Sequence, residues 1–192
     1  MASINELAIS TAPEIWLWAF RGDRDARERC FTAWWQSSDS MFSHRLSRVV
    51  SEGGEPMGLE LGYSQAERVA AVEATVAIAS TVLEPATLDQ LLSAFAWLAY
   101  LCPPIPERAH YVQWLATDSR VHGRGLGKQL LTAAFERSRS AGYAEVQLDV
   151  KSTNPAVGFY KHLGMEILSE SRVPFLEQHD IPAHYRMVKH LW

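Results

Sequence analysis

Residues 118–131 read DSRVHGRGLGKQLL, with Gly123, Gly125 and Gly127 interleaved with Arg124 and Lys128 just ahead of a helical pattern. Glycine lets the chain turn so that successive N–H groups face one point. A helix starting there adds unpaired donors and a partial positive charge. Such a backbone holds phosphate without side-chain chemistry, and the two cations add formal charge. A tightly packed turn would use the same glycines. The cations at a strand-to-helix junction favour an anion, and pyrophosphate is the expected ligand.

Two familiar phosphate loops do not fit. A GxxxxGK[ST] loop would need glycine at His122 and a hydroxyl residue at Gln129, and a GxGxxG fingerprint from Gly123 would need glycine at Lys128. Other residues offer further chemistry. Glu60 and Asp149 lie on expected strands and are candidate proton acceptors, although carboxylates there are also ordinary solvated or hydrogen-bonded groups and a water chain would serve equally. His179 and His184 flank Asp180 without a third ligand at useful spacing, so they read as surface or pocket histidines and no metal is expected. Trp16, Trp18, Trp34 and Trp35 could line an apolar pocket or simply pack two helices on a sheet.

The elements that would position these residues follow from spacing. INELAIS (4–10) reads as a short strand. APEIWLWAF and DARERCFTAWW read as helices, with Pro13 in the first turn of one and Asp23 capping the other. HRLSRVV and PMGLELGYS read as strands joined by SEGGEP. Residues 66–84 and 87–102 carry apolar side chains at helical spacing, separated by Pro85. HYVQWLAT (110–117) is an aromatic, branched strand, and a helix with Leu126, Leu130, Leu131 and Ala134 on one face follows the glycines and ends near Gly142. AEVQLDV alternates Val146, Leu148 and Val150 with Glu145, Gln147 and Asp149. This strand–helix–strand order implies a parallel pair with a right-handed crossover. NPAVGFYKHLG is a short helix with Asn154 as cap, Pro155 first and Gly164 beyond its end. MEILSES and HYRMVKHL close the chain as strands around the loop VPFLEQHDIPA. The fold class is α+β or mixed α/β, with helices on both faces of a mixed sheet.

Composition bounds the function. The 192 residues fit one domain, 47% are hydrophobic and 21% charged, and the formal net charge of −4 gives no pull toward nucleic acid. Cys30 and Cys102 lack CxxC spacing, which argues against a disulfide framework or a cysteine-rich zinc site. Asn5, Glu6 and Glu14 stand where a secretory leader would be basic and then apolar. The internal apolar runs fall short of a membrane span. A soluble cytoplasmic protein with no membrane partner is expected.

LATDSRVHGRGLGKQLL resembles the acyl-CoA-binding segment of the GNAT superfamily of N-acetyltransferases, [RQ]xxGx[GA], here His122-Gly123-Arg124-Gly125-Leu126-Gly127. LDVKSTNPAVGFYKHLGMEIL resembles the family's second signature, an Asn after a strand and a Tyr six residues later, here Asn154 and Tyr160. The specific match covers about residues 110–170, which would be the acetyl-CoA-binding core of one domain over 1–192. His122 departs from the usual Arg or Gln, and Ser119 stands where Pro is frequent. Gly158 inside a helix costs about 1 kcal/mol against Ala. The helical segment 66–102 is longer than in the simplest members.

The resemblance implies a central, mostly antiparallel mixed sheet with a splayed parallel strand pair. It implies transfer of an acetyl group from acetyl-CoA, as co-substrate without a metal, to a primary amine of a small molecule or protein in a ternary complex. Unpaired backbone groups of Leu115, Ala116 and Thr117 would bond the pantetheine arm and face the thioester oxygen, Gly123 to Lys128 would hold the pyrophosphate, and Asn154 would contact the arm. Tyr160, with a reference pKa near ~10, would protonate the leaving sulfur. The family surrounds its acceptor with residues that correspond to about 14–37 and 171–183, so Asp23, Asp25, Glu28, Glu177 and Asp180 could favour a cationic amine. A longer acyl-CoA donor and a CoA-binding regulator without turnover stay open, as does a homodimer.

Overall fold

In the computed structural model, which describes residues 3–192, three helices lead the chain: α1 (Ile4–Ser10), α2 (Pro13–Ala19) and α3 (Arg24–Gln36). The hairpin β1 (Ser47–Glu52) and β2 (Glu55–Ser64) follows, then the helices α4 (Gln65–Val82) and α5 (Pro85–Leu101). Next come β3 (Ala109–Thr117), α6 (Leu126–Ser140) and β4 (Glu145–Lys151). The chain closes with α7 (Ala156–His162), β5 (Glu166–Ser171), α8 (Pro174–Glu177) and β6 (His184–His190). Among the described residues no helix is long and apolar enough to cross a membrane.

The first element corrects the sequence reading. INELAIS is a helix, not a strand, because Ser3 and Glu6 form a reciprocal capping box that supplies partners to otherwise orphaned N–H groups. Leu7 and Ala8 then meet the core as helical neighbours. Two smaller differences have similar local causes. His44–Leu46 forms a short 3-10 turn capped by Ser43 rather than the start of β1, and Pro174 opens the short helix α8 inside the final loop.

The sheet runs β1-β2-β3-β4-β6-β5, and every neighbouring pair is antiparallel except β3 and β4. Those two pair only from Ala109–Tyr111 to Glu145–Gln147, and then part. The cause lies on the other edge of β3. Its register with β2 shifts so that Leu61 faces Trp114 while Gly62 faces Val112, which leaves Gln113 as an extra residue. A bulge bends the strand that carries it. Here it bends β3 at the level where β4 is left behind.

Each face of this forked sheet has its own core. Leu59, Leu61, Tyr63, Tyr111 and Trp114 pack under α1 to α5. Val112, Val146, Leu148 and Val150 pack under α6 and α7 with Leu131 and Tyr160. Leu131 is fully buried, so its truncation to Ala would cost about 2–5 kcal/mol. α4 and α5 close the first face; Trp34 on α3 donates its indole N–H to Thr75 O of α4 at 2.9 Å and stacks near Phe95 of α5.

Candidate active site

The glycine loop hangs from a fixed point. The Asp118 carboxylate accepts the Arg120 N–H at 2.8 Å and grips that guanidinium at 3.0 and 2.8 Å, and Arg120 reaches on to Glu55 at 2.9 Å. The Arg120 side chain and N–H hold the Asp118 carboxyl down at about 2. Beyond this clasp the chain makes two left-handed turns, with φ of +78° at Gly123 and +80° at Gly125. Residues with a Cβ rarely adopt that geometry, which accounts for glycine at both positions.

The backbone bonds of the loop decide what it can hold. His122 N–H bonds to Ser119 O and Arg124 N–H to Val121 O, and the helical ladder begins with Gln129 N–H on Gly125 O. The N–H groups of Gly123, Gly125, Leu126, Gly127 and Lys128 have no acceptor among the described residues. They form a cluster of donors at the positive end of α6. Lys128 is exposed beside them. Arg124 is drawn aside by Glu52 at 3.1 Å, a solvent-exposed pair worth less than about 1 kcal/mol that an anion can outcompete. The His122 ring lies 3.2 Å from Thr117 O, tying the loop to the end of β3. Gly127 faces Thr117 and Phe159, so loop, strand end and α7 meet at one place.

The fork between β3 and β4 opens into a cavity of about 440 Å³. Leu115 lines it from one prong and Leu148 and Asp149 from the other, with Asn154 and Tyr160 at the start and middle of the α7 segment. On the side of β3 that faces away from β2, residues 112–117 have no strand partner, so Leu115, Ala116 and Thr117 present a free edge. Pro155 takes the cap position of α7, one residue later than the spacing predicts. The Asn154 side-chain oxygen still accepts the Ala156 N–H at 2.8 Å, which leaves its amide N–H group as a donor on the cavity wall. Tyr160 is buried, and burial alone pushes its hydroxyl up to about 12. It therefore stays protonated across the neutral range.

Asp149 belongs to a network that the sequence did not disclose. Arg186 on β6 grips its carboxylate through Nε and Nη2, both at 2.7 Å, and also donates to Gln147 Oε1 at 2.8 Å and Pro103 O at 2.6 Å. Tyr111 donates to the same carboxylate at 2.8 Å and carries the guanidinium over its ring at 5.1 Å. Tyr63 donates to Gln113, the bulge residue, at 2.6 Å. The only sequence signal was a lone Arg in the strand HYRMVKHL, and its partner lies far away in the chain.

The remaining candidates are used elsewhere. Glu60 is buried against Arg137 on the α6 face and does not line the cavity; burial raises its carboxyl and the Arg137 charge lowers it, burial prevailing. Asp23 caps α3, Glu28 accepts from Asn5, and Glu177 pairs with Arg172. None of the acids proposed to attract a cationic amine, Asp25 and Asp180 included, reaches the cavity wall. His179 stacks on Trp18 at 5.3 Å, whereas His184 lines the cavity and bonds Pro182 O at 2.9 Å. Of the four tryptophans, Trp16 lines the cavity, Trp34 is core, Trp18 packs on Phe175, and Trp35 lies beside His44.

Comparison with known proteins bears on the family and the fold. A model of the acetyltransferase (GNAT) family matches residues 10–165. A mycothiol acetyltransferase of Corynebacterium aurimucosum is 41% identical over 81 residues, which is 41% of this chain and 26% of that protein. The match thus spans about a quarter of the relative's length. An N-acetyltransferase from Staphylococcus aureus Mu50 superposes with a TM-score of 0.68 at 14% identity, over 96% of each chain. A crystal structure described as an acetyltransferase gives 0.67 at 16% identity, over 98% of this chain and 93% of that one. At such identities the solved structures speak for the fold.

Proposed function

We propose, for a chain that belongs to the acetyltransferase (GNAT) family, that it transfers the acetyl group of acetyl-CoA to a primary amine within a ternary complex. The observation that carries this reading is the cluster of unpaired N–H groups at Gly123, Gly125, Leu126, Gly127 and Lys128, which fits a diphosphate. From that anchor the pantetheine arm would run along the free edge of β3 at Leu115 to Thr117, with the Asn154 amide as a further donor.

The acetyl thioester supplies an activated carbonyl. The chain's own groups do the rest. Backbone N–H groups on the β3 edge would donate to the carbonyl oxygen as it gains charge. The amine must shed a proton before it attacks, since an amine with a pKa near ~10 is mostly protonated at neutral pH. As the new C–N bond forms and the C–S bond breaks, the departing thiolate takes the proton of Tyr160, whose buried hydroxyl holds it at neutral pH, and the proton then lost from the acylated nitrogen restores the phenol through solvent. The relative named a mycothiol acetyltransferase supports acetyl transfer in general terms.

Thiol release measured across a panel of amines with acetyl-CoA tests the reading. Release that depends on an amine is expected; tight CoA binding without release for any amine would assign the chain to coenzyme sensing.

A further inference from the structure

The wall of the cavity has a charge balance that the transfer reaction alone does not require. Its cations are Arg68, Lys151 and Arg186, and its one carboxylate is Asp149. Asp149 is spent on Arg186, and Lys151 pairs with Glu14. His184 is held neutral by burial. Arg68 is left without an acidic partner among the described residues. The acid beside it in the sequence, Glu67, is turned back on Ser64, accepting from its N–H at 2.7 Å and its hydroxyl at 2.9 Å. No acid stands three or four residues from Arg68 on α4 to compensate it. As a cation close to the positive end of the helix, Arg68 also opposes the helix dipole. Its charge acts on Tyr63 and Cys102, both of which line the same cavity.

No carboxylate of the wall is left to answer Arg68, so a ligand that brings a carboxylate supplies the missing negative charge, whereas one that brings only an ammonium group adds a second unanswered cation. The same wall carries the apolar side chains of Phe42, Val76, Phe95 and Leu98. The volume of about 440 Å³ suits a small molecule.

We propose that the acceptor is a small amine with an apolar body and a carboxylate, for which Arg68 is the counter-ion. This rests on the transfer reading above and names the substrate class of that site. With the acid held by Arg68, the amine is the group left free to react.

Calorimetry of the CoA-loaded protein with hydrocinnamate and with hydrocinnamyl alcohol, a neutral counterpart of the same body, tests the counter-ion directly. The acid is expected to bind about 10- to 100-fold more tightly. Arg68→Gln abolishes that preference and Arg68→Lys restores part of it, with CoA binding in each variant reporting that it is folded. Equal binding of acid and alcohol by the native protein, or an undiminished preference in Arg68→Gln, overturns the proposal. In the turnover assay phenylalanine should exceed phenethylamine in kcat/KM, through KM, and only while Arg68 is present. No thiol release with any amine, together with an Arg68-dependent preference for the acid, would sink the transfer reading and leave the anion site standing.

Discussion

Tyr111 is the last residue of β3 to pair with β4, and its hydroxyl donates at 2.8 Å to Asp149, two residues past the last paired position of β4. The two prongs of the fork are thus tied just beyond the point where their backbones separate. Arg186 holds the same carboxylate from β6, with both side chains 3% exposed. The tie holds the two prongs together beside the cavity that both residues line.

That tie has unequal parts. Asp149→Ala leaves the Arg186 guanidinium buried without its partner and should destabilise the fold by about 3–5 kcal/mol. Tyr111→Phe removes one hydrogen bond to a charged group and should cost about 1.5–3 kcal/mol. Urea unfolding of the two variants checks the ranking.

The glycine loop should be sensitive to conformation and insensitive to bulk. A Cβ at Gly125 would meet nothing within 4 Å, but its φ of +80° is strained for any other residue. Gly125→Ala is expected to cost about 1–2 kcal/mol in loop geometry and to weaken acetyl-CoA about tenfold. The turnover number at saturating coenzyme should be nearly unchanged, as steady-state kinetics would show.

Tyr160→Phe should lower kcat by about 10²- to 10⁴-fold, with acetyl-CoA affinity, read by calorimetry, within about twofold of native on the same argument. Equal losses in both would argue for a packing role. The pH dependence has a definite sign. The folded hydroxyl titrates at about 12, above the ordinary tyrosine value, so its contribution to stability is complete below about 10 and is lost as pH rises toward 12. The acid should accordingly impose no fall in kcat below about pH 10.

Glu60 offers a contrast between charge and chemistry. Its carboxylate lies against Arg137 on the α6 face, outside the cavity. Glu60→Gln should leave kcat within about twofold while lowering the melting temperature, because it removes half of a buried ion pair. A large loss of kcat at an unchanged melting temperature would return Glu60 to the reaction.

The strand–helix–strand unit and the glycine turns were legible because their signals are local: apolar spacing on α6, strict alternation on β4, and left-handed positions that need glycine. The segment 4–10 was misread because seven residues are too few to separate the two periods, and the Ser3–Glu6 capping box decided the outcome. The Asp149–Arg186–Tyr111 network was out of reach. Its members lie on three strands, and only the sheet order brings them together. Arg68 was hidden for a related reason, since a cation on an amphipathic helix looks like solvated surface until α4 is seen to line the cavity.

The central claim is that the loop amides hold the diphosphate of the coenzyme. Amide-resolved NMR during a CoA titration tests it most directly. The account predicts that the N–H resonances of Gly123, Gly125, Leu126, Gly127 and Lys128 move downfield together and saturate at one stoichiometric equivalent, while Arg124, already bonded to Val121 O, moves least. Saturable CoA binding that leaves those resonances in place would contradict it.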